Sequence, residues 1–166
     1  NAYHALGDVH QSIEYNKQYL TIARDIGDRA AEGRILGNLG NAYHALGNVQ
    51  WAIMSYEHRL TIARELRDSR GAAAALSNLG RAYADLGDTR LAIDLYEQAV
   101  AIMNQIGDVI NSAGTSFNLS QLLAQQGRVD DALRHAEYAA QAFARVGDVQ
   151  QARQVQQLIA YIRQTE

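Results

Sequence analysis

Asn41-Ala42-Tyr43-His44-Ala45-Leu46-Gly47 repeats, residue for residue, the seven residues that open the chain at 1–7. The spacing of 40 recurs outward from there. Gly7, Gly47, Gly87 and Gly127 share it, and so do Asp28, Asp68, Asp108 and Asp148. Tyr3, Tyr43 and Tyr83 keep it, with Leu123 in the fourth slot, as do Ile13, Ile53, Ile93 and Leu133. So many registers at one period define a tandem array of about four units.

Each unit reads as two helices. In the second unit Ile35, Leu36, Leu39, Ala42, Tyr43 and Leu46 recur at three- and four-residue steps, the signature of an amphipathic helix. Gly47 ends it as a left-handed cap, and Asn48 is expected to cap the next helix through its side-chain oxygen. Ile53, Tyr56, Leu60, Ala63 and Leu66 carry that second helix. Asp8 and Asp88 repeat the capping choice, and Arg128 breaks it. At the other joint Gly27, Gly107 and Gly147 each precede an aspartate, while Arg67 replaces the glycine. A left-handed arginine there costs roughly 1 kcal/mol. Helices of roughly 18 or 19 residues, about 28 Å long, are expected.

Gly33, Gly37, Gly40, Gly71, Gly80 and Gly114 fall inside helices, each at a cost of about 1 kcal/mol against alanine. Gly40 and Gly80 lie beside core leucines, where helices approach closely. The other four are expected on the opposite side, leaving space. Residues 149–164 are expected to form an extra helix. Ala152, Val155, Leu158, Ile159 and Ile162 make its apolar face, and Gln151 completes a capping box with Asp148.

Composition narrows the function. The 166 residues are 48% hydrophobic and 20% charged, enough for a full-sized core. Fifteen basic and 18 acidic residues are scattered to a net −3, so no block of charge suggests nucleic acid or an anionic membrane. No apolar run approaches the roughly 18 residues of a membrane span. Without cysteine there is no disulfide, thiolate zinc site or cysteine nucleophile, which fits a reducing, cytoplasmic setting. His4 and His44 occupy equivalent positions with no carboxylate at ligand spacing, so no metal is expected. No nucleophile–base pair or phosphate-cradling loop stands out, so neither an enzyme nor a cofactor is expected.

Leu39, Gly40, Tyr43, Gly47, Ala52 and Tyr56 resemble the tetratricopeptide repeat pattern. Leu79, Gly80, Tyr83, Gly87, Ala92, Tyr96 and Ala99 repeat it. In the last unit Leu119, Gly127, Ala132 and Ala139 fit, while Ser120, Leu123 and Ala136 are substitutions. Arg59 stands where the family has alanine, and the family's late proline is missing. The period of 40 exceeds the family's usual roughly 34. This long form, with Leu39-Gly40-Asn41, is similar to leucine-glycine-asparagine repeat proteins that bind peptides, and to arrays in bacterial signalling proteins. The resemblance implies an all-α, right-handed superhelical solenoid of helical hairpins, its first helices lining a concave groove. It divides the chain into an incomplete repeat (1–27), full repeats (28–67, 68–107, 108–147) and a capping helix (148–166).

The groove has its own sequence signal. Arg34, Asn38, Asn41 and Ala45 fall at i, i+4, i+7 and i+11, one stripe opposite the core. The equivalents are Ala74, Asn78, Arg81 and Asp85, then Gly114, Asn118, Gln121 and Gln125. Asparagine is a poor mid-helix residue, and a solvated face favours lysine or glutamate. Its amide offers two donors and two acceptor lone pairs, suited to the backbone of an extended peptide. The expected contacts are Arg34, Asn38, Asn41, His44, Asn78, Arg81, Asp85, Asn118 and Gln121, and the expected partner is a protein or peptide. A structural spacer without a dedicated ligand is the alternative. Lys17 is the one lysine, so the family's two-lysine carboxylate clamp is not visible. Asn1 corresponds to Asn41, so the array is expected to continue upstream, leaving Tyr15, Tyr19, Ile22 and Ile26 uncovered. Such a stripe favours a homodimer through this end.

Overall fold

The computed structural model describes residues 2–164, and side chains from residue 8 onward. Its helices are α1 (Ala2–Asp25), α2 (Arg29–Ala45), α3 (Val49–Glu65), α4 (Ser69–Asp85), α5 (Thr89–Gln105), α6 (Val109–Gln125), α7 (Val129–Arg145) and α8 (Val149–Gln164). No strand occurs among the described residues. Helices α2 to α7 each have 17 residues, about 25 Å, and three-residue turns join them into the 40-residue period. They are shorter than the sequence suggests because each turn takes its capping residues from the helices it joins.

One turn design recurs. Gly27 adopts φ +72°, its N–H bonds the Arg24 carbonyl at 3.1 Å, and the Asp28 N–H reaches back to Ala23 at 2.8 Å. That is a Schellman stop. Asp28 then starts α2, its carboxylate accepting the Ala31 N–H at 2.8 Å. A single aspartate closes one helix and opens the next. Asp68, Asp88, Asp108 and Asp148 do the same. Arg67 keeps the turn at φ +55°, so the bonds of the joint override the steric cost of a side chain there.

Three local expectations are corrected. Helix α1 runs on through Gly7 and Asp8 instead of breaking. Asn48 makes no side-chain cap bond. It is exposed, and its amide is a weaker acceptor than the carboxylates at the other joints. At α8 only half of the capping box forms: Asp148 accepts the Gln151 N–H, but its own N–H is already given to the Phe143 carbonyl at 2.9 Å.

Neighbouring helices pack in sequence, α1 on α2 through to α7 on α8. The even-numbered helices also touch one another, α2 to α4, α4 to α6 and α6 to α8, whereas no odd-numbered pair does so among the described residues. The array therefore curves with its even-numbered helices inside. Gly40 and Gly80 admit the Tyr56 and Tyr96 rings; a Cβ on Gly80 would stand 2.8 Å from the Tyr96 ring. Gly33, Gly37 and Gly71 are buried too, against the expectation that they lie open. A Cβ on Gly33 would press Ile62 at 3.2 Å, one on Gly37 would strike the Arg59 guanidinium, and one on Gly71 the Asp68 carboxylate. Gly114 alone of these four meets open space.

The two ends differ. On α8, Ala152, Val155 and Ile162 are buried, and Arg153, Gln154, Gln156, Gln157 and Arg163 are exposed. On α1, Ile13 and Ala23 are buried, while Tyr15, Tyr19, Ile22 and Ile26 are 59%, 60%, 53% and 71% exposed. Helix α1 is tied to α2 by Glu32, which accepts from Arg24 at 2.8 Å and Arg29 at 2.5 Å. Burial pushes the Glu32 carboxyl up, but the two guanidinium hydrogen bonds outweigh it and hold the group below the usual glutamate range.

Candidate functional site: the inner helix row

The polar stripe lies along the inner row. Arg34, Asn38 and Asn41 on α2, Arg81 and Asp85 on α4, and Gln121 on α6 are exposed. His44, Asn78 and Asn118 are half-buried. Helical spacing puts these positions on one side of each helix, and the contact between even-numbered helices joins the three sides into one surface.

Part of the stripe binds itself. The Asn41 carbonyl oxygen accepts the Tyr56 hydroxyl at 2.8 Å and the Asn78 amide at 3.4 Å, so it links α2, α3 and α4. His44 Nε2 lies 2.7 Å from an Asp85 carboxylate oxygen, crossing from α2 to α4. This corrects the expectation that no carboxylate faces that histidine. The pair is separated by one period plus one residue, a spacing that comparison along a single helix does not reveal. Ser77 and Thr115 bond at 3.0 Å across the next interface. The buried Tyr96 phenol sits beside Asn118; burial pushes it up to about 12, Asp85 adds to this, and Arg81 and Asn118 oppose it.

Asn38 is differently placed. It borders a depression of about 600 Å³ between α1 and α2, shared with Asn16, Tyr19, Ile22, Ile26 and Arg34. With Asn41 it also borders a second one of about 450 Å³ beside Ser12 and Asn16. Asn78 lines a cleft between α4 and α6, and Gln121 lines one between α6 and α8. Donors and acceptors thus lie beside hollows of about 160 to 670 Å³ along the row. The arrangement suits hydrogen bonding to an extended backbone, with neighbouring side chains seated in the hollows.

Other features give no chemistry. Among the described residues no group of three or more His, Cys, Asp or Glu could hold a metal ion. No described helix is long and apolar enough to cross a membrane. Trp51, 57% exposed, packs its ring 6.0 Å from Tyr43 at a 33° tilt. The side chains of Tyr3 and His4, and residue Asn1, lie outside what the structure describes. Arg59, noted in the sequence only as a departure from the family's alanine, is the residue missing from the expected contacts: it is half-buried where the third and fourth units carry the fully buried Ala99 and Ala139.

Comparison with known proteins agrees with this geometry. The tetratricopeptide repeat family model matches residues 1–65, 32–105 and 71–145. No curated protein sequence matches the chain. Three solved structures share its fold. Aspartyl phosphate phosphatase F from Bacillus subtilis is 15% identical over 93% of this chain and 40% of its own, with a TM-score of 0.86. A Rap protein complexed with competence and sporulation factor is 18% identical over 96% and 50%, with a TM-score of 0.78. A signal transduction ATPase with a tetratricopeptide repeat sensor, from Pyrococcus horikoshii, is 21% identical over 93% and 24%, with a TM-score of 0.79. The chain spans half or less of each of these three proteins. With three overlapping matches along its length, it belongs to the tetratricopeptide repeat family.

Proposed function

We propose that the chain is a protein-interaction module that holds an extended peptide segment along its inner helix row, as part of a larger cytoplasmic scaffold or signalling protein. The observation that carries this reading is the row itself: even-numbered helices in mutual contact, presenting exposed amides and arginines between hollows. A relative of the same fold has been solved with a factor bound, which agrees with a binding role for such an array. The spacer alternative accounts for Asn78 and Asn118, which have partners within the fold, but leaves the exposed mid-helix Asn38 without a reason. Panning a displayed library of random twelve-residue peptides tests the proposal. Selected peptides should bind the wild type and lose roughly fivefold or more in affinity with Asn38→Ala, since a hydrogen bond nets about 1 kcal/mol. Melting should be unchanged. Failure to enrich any peptide would refute the groove.

The uncovered stripe on α1 supports a second reading, self-association through that end. The four exposed apolar side chains lie along α1 itself, so α1 is expected to pair with α1 of a second copy. Sedimentation over a dilution series should show a dimer that dissociates; a monomer at high concentration would exclude it.

A further inference from the structure

The clefts between successive inner helices can be compared position by position, 40 residues apart. Between α4 and α6 the cleft measures about 160 Å³ and is lined by Arg70, Ala73, Ala74, Met103, Asp108 and Asn111, among others. Between α2 and α4 the matching positions hold Ala30, Gly33, Arg34, Ala63, Asp68 and Gly71, and the cleft opens to about 310 Å³. Ala30, Gly33, Ala63 and Gly71 each remove bulk or a bridge, Asp68 is unchanged, and Arg34 in place of Ala74 adds a cation. Met103 fills what Ala63 leaves empty. Arg70 spans to Asp108 at 3.5 Å, and Ala30 makes no such bridge to Asp68.

The enlarged cleft also gains a cation. Arg59 projects from α3, where Ala99 and Ala139 are fully buried in the equivalent hairpins. It is accommodated because Gly37 has no Cβ: one there would come within 3.0 Å of both Cδ and Cζ of the arginine. Arg59 and Arg34 both line this cleft and the depression between α1 and α2. Neither guanidinium makes an ion pair with a described carboxylate. Asp68, the one acid at the cleft, is occupied as the cap of α4 through the Gly71 N–H at 2.9 Å. Burial draws the Arg59 guanidinium below its ordinary value, and Asp68 offsets this only in part. No Arg59 nitrogen is both buried and unpartnered, so the guanidinium stays open to an incoming anion, and a carboxylate with two oxygens is its natural complement.

We infer that the α2–α4 cleft is a specificity pocket for a carboxylate-bearing side chain of the bound peptide, with Arg59 and Arg34 as its anion contacts. Gly33, Ala63, Ile62 and Leu66 provide an apolar wall for the methylene stem, which favours glutamate. This rests on the peptide-groove reading and adds the chemistry that selects among peptides.

The test uses a library-selected peptide containing glutamate and its glutamine counterpart, both fluorescein-labelled, read by anisotropy. Wild type should prefer the glutamate form by roughly tenfold, the size of a charge-assisted hydrogen bond. Arg59→Ala and Ala63→Met, which install the third unit's Ala99 and Met103, should abolish that preference and retain binding of the glutamine form. Equal affinity of wild type for the two forms overturns the pocket and leaves the groove standing. If no peptide is selected, the groove reading fails. Titration with N-acetylglutamate amide against its glutamine analogue then decides the pocket alone: a selective shift of the Arg59 Nε–H resonance supports it, and no selective shift overturns it.

Discussion

Helices α1 and α8 are the first and last described helices of the array, and their outer faces differ. Helix α8 turns Ala152, Val155 and Ile162 inward and shows mainly glutamine and arginine to water, with Val149 and Tyr161 among them. Helix α1 buries Ile13 and Ala23 but shows two tyrosines and two isoleucines. In a solenoid each hairpin is stabilised by its neighbours, so a mainly polar outer face is closed to further stacking and a more apolar one is open to a partner.

The comparison breaks most visibly at the closed end. Deleting residues 153–166 removes Val155 and Ile162 and uncovers Leu119, Leu123 and Phe143 of the last two core clusters. At roughly 1.5–3 kcal/mol for each large side chain, the loss is several kcal/mol, enough to aggregate the protein on heating. A truncated chain with unchanged melting would show that α8 is not a cap. A smaller effect lies between the ends. Arg67→Gly relieves the left-handed arginine and should raise stability by at most about 1 kcal/mol in chemical denaturation, less the added freedom of the unfolded glycine.

At the open end the tether is electrostatic. The folded pKa of Glu32 is depressed, so its contribution is complete above the ordinary glutamate value and is lost as the pH falls through the folded one. Hydrogen exchange should therefore loosen α1 before α5 on acidification. Glu32→Gln should flatten that dependence, with a stability change under about 1 kcal/mol because Arg24 and Arg29 are largely exposed. The smallest change in stability, under about 0.5 kcal/mol, is expected for Ile22→Glu with Ile26→Glu, since both residues are exposed. Their signature is a tenfold or larger weakening of self-association by sedimentation; a loss of melting temperature instead would place them in the core.

What the sequence shows of this fold is what repeats. Gly27, Gly47, Gly87, Gly107, Gly127 and Gly147 all take the left-handed conformation that their period implies, and Arg67 follows them without being glycine. Exposure of the Asn38 and Asn41 positions follows from helical spacing alone. What escapes is what happens once, or between repeats. Gly37 reads as empty space until Arg59 is seen to occupy it from the facing helix. His44 and Asp85 meet because α2 and α4 are neighbours in space, a relation absent from either helix. Gly7 carries the stop signal of its repeat, yet α1 runs through it.

The central claim is that ligands lie on the inner row. Nitrogen–proton correlation spectra, recorded with and without a selected peptide, test it most directly. The account predicts that the largest shifts fall on the side-chain amides of Asn38, Asn78 and Asn118 and on the backbone of α2, α4 and α6. Shifts confined to α3, α5 and α7 would contradict it.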